Sequence, residues 1–226
     1  MKHIILVSGK MQSGKDTLAE FLMKDFQKLN MSVCVDFFAK DLKEWCKEDF
    51  QPIAKYLNGY TKKLKSLITV FYDLNFNDKG HLKNIINQID QLKIKDENFF
   101  EHKTEITRLL LQIYGTDIFR SRVDTNWWAK RVKDRCKHMT DDVVIVKDVR
   151  FPNEIEIFFE ELNQSEFKII PIRVERSSRK TVNASHETEI ALDNWSQWEY
   201  VVDNDGALND LQNASKTIIE DILNIS

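Results

Sequence analysis

A chain of 226 residues, 42% hydrophobic and 31% charged, has the composition of one soluble domain with a buried core and is short for two. Its formal net charge of -3 argues against a broad nucleic-acid footprint, and no apolar run approaches the roughly 18–20 residues that span a bilayer. Three cysteines (Cys34, Cys46, Cys136) without CxxC spacing argue against a disulfide framework or a zinc site, and point to reduced thiols in a cytoplasmic protein.

The segment Met1-Lys2-His3-Ile4 enters an apolar strand at once, and that strand is too short for a signal peptide. Ile4–Val7 reads as a buried strand. From Lys15 onward, Leu18, Phe21, Leu22, Phe26 and Leu29 recur at helical spacing and give one apolar stripe. Met31–Phe38 predicts a second strand, so the chain opens with a strand–helix–strand crossover and a parallel sheet. The stretch from Lys40 to about Lys137 contains few Gly or Pro. Leu57–Phe71 and Leu82–Leu92 read as helices, Glu105–Tyr114 as a helix stopped by Gly115, and Asn126–His138 as another. These predict a helical insert over about 44–138 within a single domain of 1–226. The α/β rhythm returns with a strand at Val143–Val146 and a helix opened by Pro152 and Asn153, with Asn153 as N-cap, through Leu162. A strand at Phe167–Val174, a basic lid-like segment at about 175–195, a strand at Tyr200–Val202 and a final helix after Gly206 follow.

Gly9-Lys10-Met11-Gln12-Ser13-Gly14-Lys15-Asp16-Thr17 fits GxxxxGK between a buried strand and an amphipathic helix. Gly9 and Gly14 allow turns that a Cβ forbids, and the loop amides form an anion nest at a positive helix end. Lys15 is the residue that reaches the β- and γ-phosphates of ATP. Asp16 stands where Ser or Thr normally ligates magnesium. Either Asp16 holds the ion, directly or through water, or Thr17 does. The expected fold class is therefore α/β, a three-layer P-loop NTPase fold with a parallel sheet. No guanine-reading NKxD is present, so a regulatory GTPase is not expected. A small-molecule kinase is, with the insert holding the acceptor and the basic segment closing to exclude water.

Three further clusters fit that reading. Asp148 and Arg150 follow the Val143–Val146 strand, where ligands collect, and two-residue spacing lets both face one side. Arg108 and Gln112 share a helix face near Gly115, Thr116 and Asp117, and one of Trp127 and Trp128 can stack on a base while the other enters the core. Arg173, Arg176 and Arg179 can neutralise charge in the transferring phosphoryl group. Ser185, His186 and Glu187 follow, with His186 read as a loop hydrogen-bond partner.

GKMQSGKDT, Ala39-Lys40-Asp41-Leu42-Lys43, Leu111–Asp117, KDVRFPNE and VVDNDG together resemble the bacteriophage-type deoxynucleoside monophosphate kinases over most of the chain outside about residues 50–100. The resemblance implies ATP γ-phosphate transfer to a deoxynucleoside monophosphate with magnesium, for DNA precursor synthesis, in the host cytoplasm if the source is viral. It assigns Gly14, Lys15, Asp16 and Thr17 to ATP and its magnesium, alongside Gly9 and Ser13 of the same loop. It assigns Lys43, Arg108, Gly115, Thr116, Trp128, Asp148, Arg150 and Glu154 to the acceptor side. The family often has Pro where this chain has Asp41, and its loop is often basic where this chain has Lys10-Met11-Gln12, which leaves Lys10 as the phosphate contact. Lys15, Asp148, Arg150, Arg176 and Arg179 form the expected catalytic set, with Asp148 first a positioning group. The expected partner is a small nucleotide, not nucleic acid or membrane; a homodimer stays open. The alternatives are a kinase of another phosphorylated small molecule, of phosphomevalonate or dephospho-coenzyme A type, and a non-catalytic ATP-binding module.

Overall fold

The computed structural model describes residues 1–45, 123–178 and 187–225, together with positions 69, 83, 111, 115, 116, 119 and 120. The chain divides into two compact units. One comprises Met1–Lys40 and Asn126–Ser226, the other Asp41–Thr125.

The first unit is built on five strands, β1 (Lys2–Gly9), β2 (Val33–Phe37), β3 (Val143–Val149), β4 (Phe167–Glu175) and β5 (Tyr200–Asp203). They lie in the order β2-β3-β1-β4-β5, and every pairing is parallel. The helices are α1 (Lys15–Lys28), α2 (Trp127–His138), α3 (Asn153–Glu161), α4 (Glu187–Ile190) and α5 (Leu208–Leu223).

β1 explains the layering. Ile4, Ile5, Leu6 and Val7 are all fully buried, because a parallel sheet is covered on both faces and its central strand reads as a continuous apolar run. Alternate side chains serve opposite faces. Ile4 and Leu6 join Ala129, Val132 and Cys136 of α2 and Ile155 and Phe158 of α3. Ile5 and Val7 join Leu18, Leu22 and Phe26 of α1 and Leu211, Ile218 and Ile222 of α5. The result is the three-layer α/β arrangement of a P-loop fold. α2, which the sequence reading grouped with the insert, thus belongs to the sheet unit.

Pro171 sits inside β4 without breaking it. β5 begins opposite Ile172, so no strand partner faces Pro171 on that side, where its carbonyl instead accepts the Glu199 N–H at 2.9 Å. Burial pushes the Cys136 thiol up to about 12, and it also raises the Cys34 thiol; both cysteines are free. Cys46 lies outside the described residues.

Three local expectations change. β3 runs on to Val149, three residues past the apolar run, carrying Lys147 and Asp148 into the strand. Asn153 is the first helical residue of α3, not its cap. Its amide donates to Asn126 Oδ1 at 2.6 Å, and Pro152 occupies the N-cap position. In the second unit Gly115 does not stop a helix. Gly115, Thr116, Phe119, Arg120 and Val123 lie in wide helical turns, with the Asp124 N–H reaching Phe119 O, five residues back. Gly115 is needed for close approach, since a Cβ there would stand 2.7 Å from Leu42 Cδ2. The helices expected over Leu57–Phe71, Leu82–Leu92 and Glu105–Tyr114 lie outside the described residues, apart from Thr69, Lys83 and Leu111, which are helical.

Candidate active site

β1 is the point where the sheet's connections part, since α1 leads toward β2 on one side while β4 lies on the other. Ligands of open α/β sheets collect outside the strand ends at such a point. The phosphate loop leaves β1 there. Gly14 takes a left-handed backbone (φ 97°) as the N-cap of α1. A Cβ on Gly14 would collide with Asn204 Nδ2, and one on Gly9 with Ser13 Oγ. Both glycines are therefore required by contact as well as by turn geometry.

Lys15 is buried at 6% exposure. Its ammonium lies 3.6 Å from Asp148 Oδ1 and 3.9 Å from Asp16 Oδ2, and Lys147 Nζ is 3.2 Å from Asp16 Oδ1. Two carboxylates thus flank the lysine at the carboxyl end of the sheet. Asp148 reaches this place through a bulge: Leu6 pairs with Val146 but Ser8 with Val149, one extra residue on β3, and Asp148 itself has φ 60°. The bulge breaks the two-residue alternation that would have put Asp148 and Arg150 on one side. Asp148 faces Lys15, whereas Arg150 Nη1 donates to Glu189 Oε1 at 2.8 Å and to Gly9 O at 3.4 Å.

Two of the expected site residues, Glu154 and Lys10, have protein partners. Glu154, expected on the acceptor side, is buried and accepts the backbone N–H groups of Arg150 (2.7 Å) and Phe151 (3.1 Å), satisfying amides at the start of α3. Lys10 pairs with Asp193 at 2.7 Å. Trp128 is the buried member of its pair and Trp127 the half-buried one. Lys43, exposed, and Gly115 and Thr116 belong to the second unit. Arg108, Gln112, Arg179 and His186 lie outside the described residues.

Three residues that sequence reasoning left without a role complete the setting. Asn204, just past β5, donates from Nδ2 to Ser13 O at 2.7 Å, fixing the loop's second half. Glu189 Oε2 accepts the Met11 N–H at 2.9 Å. Asp193 Oδ1 accepts from Arg173 Nη2 at 3.0 Å, and Arg173 Nη1 donates to Ser8 Oγ at 3.2 Å. The one available signal was position: Asn204 directly follows a strand, and Glu189 and Asp193 are four apart beyond an arginine-rich stretch.

Lys10–Ser13 and Arg173–Ser177, with Asp193, line a cavity of about 340 Å3. The cavity fits an anionic tail. Ser13 Oγ and Arg176 Nε are buried on it without a hydrogen-bond partner among the described residues, and the loop residues Lys10–Ser13 form one wall. The opposite wall is fixed by Asp205, which accepts the N–H groups of Ser177 (3.0 Å) and Ser178 (2.7 Å); the Ser178 side chain and then these amides hold its carboxyl below the usual range. Among the described residues no group of three or more His, Cys, Asp or Glu side chains gathers to hold a metal ion. The oxygens available at the loop are the carboxylates of Asp16 and Asp148 and the Thr17 hydroxyl. Such a sparse set of hard donors suits magnesium that is taken up together with a nucleotide's phosphates.

A family model described as deoxynucleotide monophosphate kinase matches residues 47–215. The chain belongs to the deoxynucleotide monophosphate kinase family. Its reaction is phosphoryl transfer onto a deoxynucleoside monophosphate, and its substrate is a small-molecule nucleotide. The match begins beyond the phosphate loop, so the loop's geometry and the family match are separate lines of support for a kinase. No curated protein matches the chain. Neither the acceptors of phosphomevalonate or dephospho-coenzyme A type nor a non-catalytic module gains support from the match. Among the described residues no helix of the kinase is long and apolar enough to cross a membrane.

Proposed function

We propose that the kinase uses ATP as donor, with its phosphates on Gly9–Thr17, and delivers the γ-phosphoryl group to the phosphate of a deoxynucleoside monophosphate. What carries the reading is the buried Lys15 ammonium between Asp16 and Asp148, at the end of a glycine-turned loop beside a cavity where Ser13 Oγ and Arg176 Nε have no partner among the described residues. Lys15 spreads the negative charge of a loose transition state, and Arg176 with Arg179 and Arg150 extend that neutralisation. Asp148 positions Lys15. No strong base is required, because the acceptor's phosphate oxygen is already anionic near neutral pH.

Asp16 and Thr17 would hold magnesium, which supplies charge neutralisation at the phosphate oxygens. On the acceptor side the roles fall to Lys10, Lys43, Arg108, Gln112, Gly115, Thr116 and Trp128, with the insert as the acceptor-binding part. Lys10 must leave Asp193 to meet a phosphate. The reading carries with it a phage-type enzyme of the host cytoplasm without a nucleic-acid partner, and the net charge of -3 supports the last point.

The test is ADP release measured with every deoxynucleoside and ribonucleoside monophosphate, and with phosphomevalonate and dephospho-coenzyme A as outsiders. The proposal expects ADP release that depends on at least one deoxynucleoside monophosphate. Release driven only by an outsider, or release independent of any acceptor, would refute it.

A further inference from the structure

The segment after residue 186 places two carboxylates against the phosphate loop in the same pattern. Glu189 and Asp193 are four residues apart, and each accepts from one loop residue and one arginine at the end of a sheet strand. Glu189 takes the Met11 N–H (2.9 Å) and Arg150 Nη1 (2.8 Å) on separate oxygens. Asp193 takes Lys10 Nζ (2.7 Å) and Arg173 Nη2 (3.0 Å). The two sites differ in solvent. The side chain of Glu189 is only 6% exposed, against 34% for Asp193. A buried carboxylate is tolerated when each oxygen has a charged or peptide donor, and breaking such a set costs far more than breaking an exposed pair.

Glu189 also lines the tight gap formed by Ser8, Gly9, Val149 and Arg150, which has no room for a water. The Arg150 guanidinium has a second contact, the Gly9 carbonyl at 3.4 Å, which sets it at the loop's first turn. Without its carboxylate the arginine would lose its one charged partner among the described residues and keep only that long contact.

We infer that Glu189 is a positioning residue for phosphoryl transfer: one carboxylate oxygen fixes the first turn of the phosphate loop through Met11, and the other aims Arg150. The inference rests on the roles proposed above for Arg150 and the loop. Glu189 acts through those two groups and touches neither nucleotide. Its two oxygens therefore have separable effects, one on donor binding and one on turnover.

The experiment uses the full chain with Glu189→Gln, Glu189→Ala, Arg150→Ala and the double variant Glu189→Gln/Arg150→Ala. Two quantities are read, kcat for acceptor-dependent ADP release and the Kd of a non-hydrolysable ATP analogue by calorimetry. Glu189→Gln keeps an oxygen for the Met11 N–H and removes the charge facing Arg150. It is expected to lower kcat about tenfold while analogue affinity stays within about threefold. Glu189→Ala removes both contacts and is expected to weaken the analogue about tenfold as well. In the Arg150→Ala background the Gln change should alter kcat by less than about twofold, since its target is gone. Unchanged kcat in Glu189→Gln, or losses that multiply in the double variant, would overturn the inference. So would an Arg150→Ala enzyme with normal turnover. If Glu189→Ala does not fold, the isosteric Gln variant and the cycle still decide. If the wild-type chain transfers to no acceptor, the functional reading fails, and analogue affinity in the Glu189 variants still tests the hold on the loop: equal affinity in all of them would sink it.

Discussion

At its first turn the phosphate loop is gripped by charge, and at its last by a neutral amide in a tight space. Lys10 and Met11 meet the carboxylates of Asp193 and Glu189, which in turn pair with Arg173 and Arg150. Ser13 and Gly14 meet the Asn204 side chain, which sits so close that Gly14 has no room for a Cβ. The partly exposed Lys10–Asp193 pair can exchange for a phosphate as charge rearranges, and salt screens it, while buried Glu189 keeps its hold on Met11. The Asn204 contact is buried, neutral and steric, and holds the amides of the anion nest whether or not a nucleotide is present. One end is suited to respond to a ligand, and the other keeps the nest preorganised.

Breaking the rigid end gives the largest effect. Gly14→Ala forces a left-handed backbone on an L side chain and collides with Asn204. A stability loss on the order of 1–3 kcal/mol in denaturant unfolding is expected, with loss of measurable ATP-analogue binding. Asn204→Ala leaves the Ser13 carbonyl without its partner. Here about 1–2 kcal/mol is expected, nearly the same at 0.1 M and 1 M salt. Asp193→Asn tests the responsive end. Asn keeps an oxygen for Arg173 Nη2, and Arg173 retains Glu175 at 3.9 Å. The pair with Lys10 is about one-third exposed on each side, so solvent screening keeps its cost under about 1 kcal/mol, and 1 M salt should abolish most of the difference from wild type. Equal salt sensitivity in the Asn204 and Asp193 variants would erase the contrast.

The smallest effect concerns the wall behind the rigid end. Asp205 has its carboxyl held below the ordinary value of 3.8 by the Ser178 side chain and by the Ser178 and Ser177 amides. A depressed carboxyl stabilises the fold fully above its ordinary value, and that contribution is lost as pH falls through the folded-state value. Asp205→Asn should therefore melt slightly below wild type at pH 6, and the two melting curves should converge as the pH falls through the folded-state value, which lies below 3.8. A difference that persists unchanged at low pH would contradict the assignment.

The sequence showed the loop, β1, α1 and the parallel sheet because these depend on short-range patterns: a glycine-spaced turn, a buried apolar run and a helical stripe. It did not show where Asp148 points. A bulge adds one residue to a ladder without marking the apolar pattern, and the alternation that would join Asp148 with Arg150 ends there. Nor did it show the partners of Arg150 and Lys10, because Glu189 and Asp193 come from a distant segment and carboxylates on a polar stretch look like solvated surface. Gly115 is a similar case. A glycine after a helical run reads as a stop, and only the nearness of Leu42 reveals that it makes room for a neighbour. Glu154 was legible as a group at the strand end but not in its task, since peptide amides needing an acceptor leave no trace in residue types.

The most direct test follows the transferred atom. With γ-32P-labelled ATP and a deoxynucleoside monophosphate, the label should appear in the deoxynucleoside diphosphate with the wild-type chain. The rate should fall at least ~10²-fold in Lys15→Ala, the order expected for losing preorganised charge stabilisation. Label that stays in ATP or leaves only as inorganic phosphate, or a Lys15→Ala enzyme that labels the diphosphate at the wild-type rate, would contradict the account.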